Sequence, residues 1–236
     1  MRGGVDILDS MKVSVLVPVY NEKDTIREIL RRIHAVPVDK EVVVVDDCST
    51  DGTREYLQSL PPGEVTLVLH GHNRGKGASI RDAIAAMTGE VAIFQDADLE
   101  YDPADYPRLL KPIEDGKADV VVGTRFSGEP RAVLFFWHAR GNKLLTFLFN
   151  MFANTNLEDM ECGLKAFKAD TLKRMTLKSE GFEIEPELMI SVARSGCRIY
   201  EVPVAYFGRT YSEGKKITWM DGIKAVWTIV RFGLFR

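Results

Sequence analysis

The feature that most constrains this chain is a series of short apolar runs, rich in β-branched residues, each stopping abruptly at polar or acidic side chains. Residues 13–19 read VSVLVPV and give way to Tyr20, Asn21 and Glu22; residues 41–45 read EVVVV and give way to Asp46 and Asp47. The runs at 64–69, 91–95 and 119–123 end in the same manner, at His70, at Asp96 and at Thr124-Arg125. Near-continuous rather than alternating apolarity predicts strands buried on both faces, and hence a mostly parallel sheet. Helical periodicity lies between the runs. Residues 22–34 place Ile26, Ile29, Leu30 and Ile33 on one face, and 53–60, 76–87 and 103–115 continue the alternation. This order predicts an α/β doubly wound sheet with helices on both faces. Ligands of such sheets sit beyond the carboxyl ends of the strands, where the polar residues are.

Beyond Arg131 the pattern changes. Residues 132–152 are aromatic-rich and helical in pattern, 163–168 read as a strand, helices follow near 170–175 and 184–195, and a last strand spans 198–206. Residues 216–235 read as an amphipathic helix whose polar stripe is Asp221, Lys224, Thr228 and Arg231. The expected organisation is an extension at 1–10, one domain over 11–216 and the amphipathic helix over 217–236.

Composition excludes several classes. Hydrophobic residues make up 45% and charged residues 28% of 236, which is globular usage. A net charge of −3 argues against a dedicated nucleic-acid binder. Cys48, Cys162 and Cys197 form no CxxC pair, which fits a reducing compartment and speaks against a disulfide framework or zinc site. Residues 1–10 lack the apolar core of a signal peptide, and no run of about 18 apolar residues predicts a membrane-crossing helix. From Arg209 to the end, however, six basic residues face two acidic ones, interleaved with Trp219, Trp227, Phe232 and Phe235. Such a helix suits either a membrane interface or packing on the domain. The expected location is cytoplasmic, peripheral on the cytoplasmic face of a membrane if the helix meets lipid.

The strongest local signal is Gln95-Asp96-Ala97-Asp98 at a strand end. Where the strand breaks into a loop, both carboxylates can reach one hard cation, Mg2+ or Mn2+, that also binds phosphate oxygens. Alone, Asp-x-Asp reads equally well as a polar turn. Asp46-Asp47 leads into CSTDGT, where one carboxylate caps the turn and the other is free for a ligand; the residues leave open which. Asn73–Gly77 is a glycine-rich turn into a helix, suited to phosphate but without Walker A spacing. No GxGxxG follows the first strand. His70, His72 and Cys162 lack metal-ligand spacing and read as core or loop residues.

Taken together, VPVYNE (17–22), VDDCSTDGT (45–53), NRGKG (73–77), QDADLEYDP (95–103) and GTRF (123–126) resemble the family 2 glycosyltransferases. ARGN (139–142), DMECGLKAF (159–167), GFEIEPEL (181–188) and EVPVAYFGRTYSEGKK (201–216) are similar to the polyprenyl-phosphate hexose synthases, including the dolichyl-phosphate mannose and glucose synthases. The resemblance covers nearly all of 11–216 and implies a GT-A fold that binds a nucleotide sugar. It implies donor contacts at Pro18, Tyr20, Glu22, Val45, Asp47, Lys76, Asp96 and Ala97. It implies metal ligands at Asp96 and Asp98, foremost Asp98, with Glu100 where some relatives carry a ligating glutamine. Arg125, Arg140, Arg209 and Lys215 match basic positions around two phosphate groups, and Asp98, Asp159, Glu187 and Arg125 form the catalytic set.

The chemistry has its own logic. Transfer from a nucleoside diphosphate leaves a diphosphate, whose developing charge a divalent cation and basic residues stabilise. Four separated basic residues exceed what one diphosphate needs and suit a second anion. A phosphate monoester has its second pKa near ~6, so it is already an anionic nucleophile at neutral pH and needs no base. A hydroxyl acceptor needs one, with Asp159, Glu185 and Glu187 as candidates; the residues equally allow Glu183, Glu185 and Glu187 to be charges opening a helix. The expected function is inverting, metal-dependent hexosyl transfer from a UDP or GDP sugar to polyprenyl phosphate. The alternatives are a saccharide hydroxyl acceptor, a nucleotidyltransferase, disfavoured because PVYNE stands where that class has a glycine-rich loop, and a non-catalytic nucleotide-sugar-binding module.

Overall fold

The structure, a computed structural model, describes residues 11–127, 136–209 and 219–234. Seven strands form one sheet in the order β3-β2-β1-β4-β6-β5-β7. They are β1 (Val13–Val19), β2 (Lys40–Asp46), β3 (Thr66–Leu69), β4 (Val91–Phe94), β5 (Val120–Thr124), β6 (Lys165–Lys168) and β7 (Ile199–Pro203). Every pairing is parallel except those of β6, which runs antiparallel to both β4 and β5. In β1 every residue from Val13 to Val17 is buried, as are all four of β4 and all five of β5. Since successive side chains point to opposite faces, both faces of these strands are covered.

The helices are α1 (Ile26–Ala35), α2 (Thr53–Gln58), α3 (Lys76–Ala86), α4 (Tyr106–Glu114), α5 (Phe136–Ala153), α6 (Ala169–Lys173), α7 (Ile184–Arg194) and α8 (Trp219–Leu234). The α1 face of Ile26, Ile29, Leu30 and Ile33 is buried as its spacing predicts. The sheet and its helices are the doubly wound architecture expected from the alternation of patterns.

Strand direction positions the site. Val19 pairs with Asp46, so Glu22 and Asp47 leave the sheet as neighbours. Phe94 pairs with Leu16, so Asp96 turns out of the sheet beside the last residues of β1. Because β6 is reversed, the residues that lead into it, 159–164, arrive at this same edge. The Asp-Met-Glu-Cys-Gly segment therefore joins the strand ends of β4 and β5.

The closing helix differs from its expected stripe. Thr228, assigned to the polar face, is buried with Ala225 and Ile229, where α8 packs on α5 and α7. Lys224, Trp227 and Arg231 face outward. On α5, Thr146 and Phe149 are buried, whereas Phe136, Trp137, Leu144, Phe147 and Met151 are exposed. Among the described residues no helix is long and apolar enough to cross a membrane.

Candidate active site

The carboxyl edge of β1 and β4 gathers three carboxylates around one guanidinium. Arg209 lies 3.2 Å from Glu22 and 3.1 Å from Asp98. Glu100 accepts from the backbone N–H of Arg209 at 2.9 Å and from the Tyr206 hydroxyl at 3.0 Å. Asp98 also accepts from the Glu100 N–H at 3.1 Å, an Asx turn that Leu99 permits by adopting a φ of 64°. Burial, together with the charges of Asp96 and Glu100, pushes the Asp98 carboxyl up to about 7. Among the described residues Glu22, Asp98 and Glu100 outnumber the one arginine that balances them, so a divalent cation fits the electrostatics here. Among the described residues no three His, Cys, Asp or Glu side chains are arranged to hold an ion by themselves. A cation at Asp98 would thus complete its shell with ligand oxygens, as Mg2+ and Mn2+ commonly do on phosphates.

Behind this edge runs a buried chain of alternating charge. Asp96 meets Lys76 at 2.8 Å, Lys76 meets Glu185 at 3.2 Å, and Glu185 meets Lys165 at 2.6 Å. Lys165 is fully buried and donates also to the Cys162 carbonyl. Burial alone pulls the Lys76 ammonium down, but Asp96 and Glu185 raise it above the ordinary lysine value. Pairing of this kind is what makes buried charges tolerable.

The second guanidinium is Arg125, just past β5. It grips fully buried Asp159 through two bonds of 2.6 Å, and its backbone N–H adds a third at 3.0 Å. Tyr206 links the two stations: the Arg125 guanidinium stands 5.2 Å over its ring, and its hydroxyl donates to Glu100.

Several expected residues take other places. Both Asp46 and Asp47 have partners within the protein. Asp46 meets Arg54 at 2.6 Å and caps the turn at Ser49. Asp47 accepts from the N–H groups of Arg74 and Gly75, at 2.7 and 2.8 Å, and contacts buried His70 at 2.6 Å. It is the staple of the glycine-rich turn. That turn is no open phosphate cradle either: Gly75 N–H is held by Asp47, and Gly77 N–H donates to the Glu180 carbonyl at 2.7 Å. A Cβ on Gly77 would sit 2.2 Å from the Ser179 carbonyl oxygen, so close backbone packing explains that glycine. The reading of Glu185 and Glu187 as charges that merely open a helix fails, because both are buried and bonded. Glu187 accepts from the N–H groups of Lys178 and Ser179, bracing the segment that covers the turn.

Val45 is sealed in the core, and Ala97 is buried beside the Asp-x-Asp carboxylates. Pro18 is half-buried near the end of β1, and Tyr20 is exposed beyond it. Arg140 stands exposed on α5, 5.0 Å over the Phe136 ring, with no described contact to the carboxylates. Lys215 lies outside the described residues. Cys162 is buried, which pushes its thiol up to about 12 and leaves it an inert core residue. Lys165 and Glu161 are site residues that sequence reasoning missed; a lysine inside an apolar strand was the available signal for the first.

This arrangement, a mostly parallel sheet with helices on both faces and an acidic strand-end site, is that of a GT-A glycosyltransferase. Over the whole chain, the fold matches glucosyl-3-phosphoglycerate synthase of Mycobacterium tuberculosis, solved with Mn2+, UDP and phosphoglyceric acid, with a TM-score of 0.76, 20% identity and 85% of that chain covered. The model of glycosyl transferase family 2 matches residues 14–176, and the chain belongs to that family of glycosyltransferases. It is 30% identical to the glycosyltransferase AglJ of Haloferax volcanii over 84% of its own length and 63% of that protein's. It is 31% identical to the undecaprenyl-phosphate 4-deoxy-4-formamido-L-arabinose transferase of Edwardsiella ictaluri, spanning 62% of that protein. It is 29% identical to the undecaprenyl-phosphate mannosyltransferase of Micrococcus luteus across 95% of both chains.

Proposed function

We propose that this enzyme transfers a hexose, with inversion, from a UDP or GDP sugar to a polyprenyl phosphate. The observation that carries the reading is the pair of guanidinium stations, Arg209 among the carboxylates and Arg125 on Asp159, joined through Tyr206. One suits the donor diphosphate and the other the acceptor phosphate, and guanidinium geometry matches both. The named substrates of the Edwardsiella and Micrococcus relatives support a lipid phosphate.

In this reading Asp98, with Asp96 and Glu100 beside it, would hold Mg2+ or Mn2+ where the donor diphosphate binds. The cation supplies Lewis-acid neutralisation of the leaving group. Arg209 turns from Glu22 and Asp98 towards the diphosphate oxygens; its Nε is buried without a partner among the described residues. An oxygen of the acceptor phosphate attacks the anomeric carbon, the bond from that carbon to the diphosphate oxygen breaks, and the nucleoside diphosphate leaves with the electron pair. The phosphate is anionic near neutrality, so no protein base is required. Asp159 holds Arg125 in place and Glu187 braces the loop over the site; both position other groups. A hydroxyl acceptor is disfavoured because Asp159, Glu185 and Glu187, the bases considered for it, are all engaged by cations or backbone N–H groups.

Residues 11–216 form the catalytic unit in this reading. The exposed apolar residues of α5 and Trp227 of α8, flanked by Arg140, Lys143, Lys224 and Arg231, meet the cytoplasmic membrane surface that carries the acceptor. The test is transfer of labelled hexose from UDP- and GDP-sugars into an organic extract, with polyprenyl phosphate and Mn2+ present. Label that moves into the extract only when the lipid is added supports the reading; label that stays aqueous contradicts it.

A further inference from the structure

The Asp159–Gly163 turn runs from the Arg125 station to Asp96 at the end of the buried charge chain. At one end Asp159 grips Arg125. At the other Gly163 backs onto Asp96: a Cβ there would lie 2.6 Å from the Asp96 Oδ2, and the Gly163 N–H donates to the Tyr101 hydroxyl at 3.0 Å. Glu161 is midway between them. Its Oε1 is buried and has no hydrogen-bond partner among the described residues. Its charged neighbours are Glu185, Lys165, Arg125 and Asp159. Every other carboxylate of these clusters is bonded to a cation or an N–H group, so the lone oxygen marks a donor that the described residues do not supply. Leaving it unmet costs free energy that the fold has no reason to bear.

We infer that Glu161 reads the transferred hexose, its Oε1 accepting a hydrogen bond from a sugar hydroxyl and so setting which donor sugar is held. The inference rests on the glycosyl-transfer reading, in which the hexose lies between a diphosphate at Asp98 and an acceptor phosphate at Arg125. The turn that carries Glu161 runs between Arg125 and Asp96, two residues before Asp98. Burial and the nearby Glu185 push the Glu161 carboxyl up to about 7, so it can accept from or donate to a hydroxyl, and either pairing relieves it. A site built to bond a hydroxyl discriminates strongly against a sugar that fails to present one.

The test is calorimetric binding, with Mn2+, of UDP, UDP-glucose, GDP and GDP-mannose to the wild type, Glu161→Gln and Glu161→Leu. The Leu variant is expected to bind the bare diphosphates as the wild type does but its preferred nucleotide sugar about tenfold or more weakly. The Gln variant keeps an acceptor oxygen and is expected to stay within about threefold. Removing an unmet buried carboxylate is expected to leave the Leu variant's melting temperature equal or higher. Wild-type-like sugar binding by the Leu variant, equal loss for sugar and bare diphosphate, or a lowered melting temperature overturns the inference. So does a Gln variant that loses turnover with sugar affinity intact, since that is the behaviour of a general base. A wild type that binds none of the four nucleotides overturns the glycosyl-transfer reading and this inference with it.

Discussion

The guanidinium of Arg209 lies 3.1 Å from the carboxylate of Asp98, joining residues 111 positions apart in the chain. The same guanidinium reaches Glu22, so one cation balances both carboxylates at the edge where donor and metal are proposed to enter. This predicts a direct exchange of partners. Asp98→Asn should weaken Mn2+-dependent binding of the nucleoside diphosphate by about 100-fold, at the upper end of what metal-site changes cost. Calorimetry with and without Mn2+ checks it, and unchanged binding removes Asp98 from the metal site.

Asp159 holds Arg125 through three hydrogen bonds in a buried setting. Asp159→Asn leaves the guanidinium without its countercharge and should cost about 3 kcal/mol of stability. Urea unfolding measures this. In a variant kept folded by low temperature, the acceptor KM should rise more than the donor KM, because Arg125 is proposed to serve the acceptor phosphate.

Glu41 ties the start of β2 to its neighbours. Burial raises its pKa, but hydrogen bonds from Ser14, from Thr88 and from Lys12 outweigh that and hold it at about 2, below its ordinary value of 4.5. A depressed folded pKa stabilises the protein above the unfolded value, and that contribution disappears as the pH falls from about 4.5 towards about 2. Glu41→Gln should therefore flatten the loss of melting temperature across this window. Parallel melting curves for variant and wild type would deny Glu41 the role.

Phe147 and Trp227 are 63% and 62% exposed, too much apolar surface to be explained by internal packing. Replacing both with Ser should lower partitioning onto anionic liposomes by about tenfold. Melting should scarcely change, since exposed substitutions shift stability by about 0.5 kcal/mol or less. Retained partitioning would assign the face to something other than a membrane.

Strand ends were legible in the chain because apolar runs stop where the sheet stops: β1 occupies Val13–Val19, and the expected acidic residues follow at the edge. What was not legible depends on partners far away in sequence. Asp47 is stapled to residues 23–28 positions distant, so no local pattern distinguishes it from a ligand-facing carboxylate. Glu185 and Glu187 follow the rule for acidic residues at a helix start, yet tertiary contacts with Lys165, Lys76 and the 178–179 backbone decide their roles. The reversal of β6 has no signature in four residues, and it is what brings Glu161 to the site. The face of α5 that lies outward is hidden in a helix apolar nearly all round.

The most direct measurement is mass analysis of both products formed from the favoured nucleotide sugar, Mn2+ and polyprenyl phosphate. Phosphate attack on the anomeric carbon predicts a polyprenyl monophosphate bearing one hexosyl unit, together with free nucleoside diphosphate. A lipid diphosphate with nucleoside monophosphate, or a hexose joined only to a saccharide hydroxyl, would contradict it.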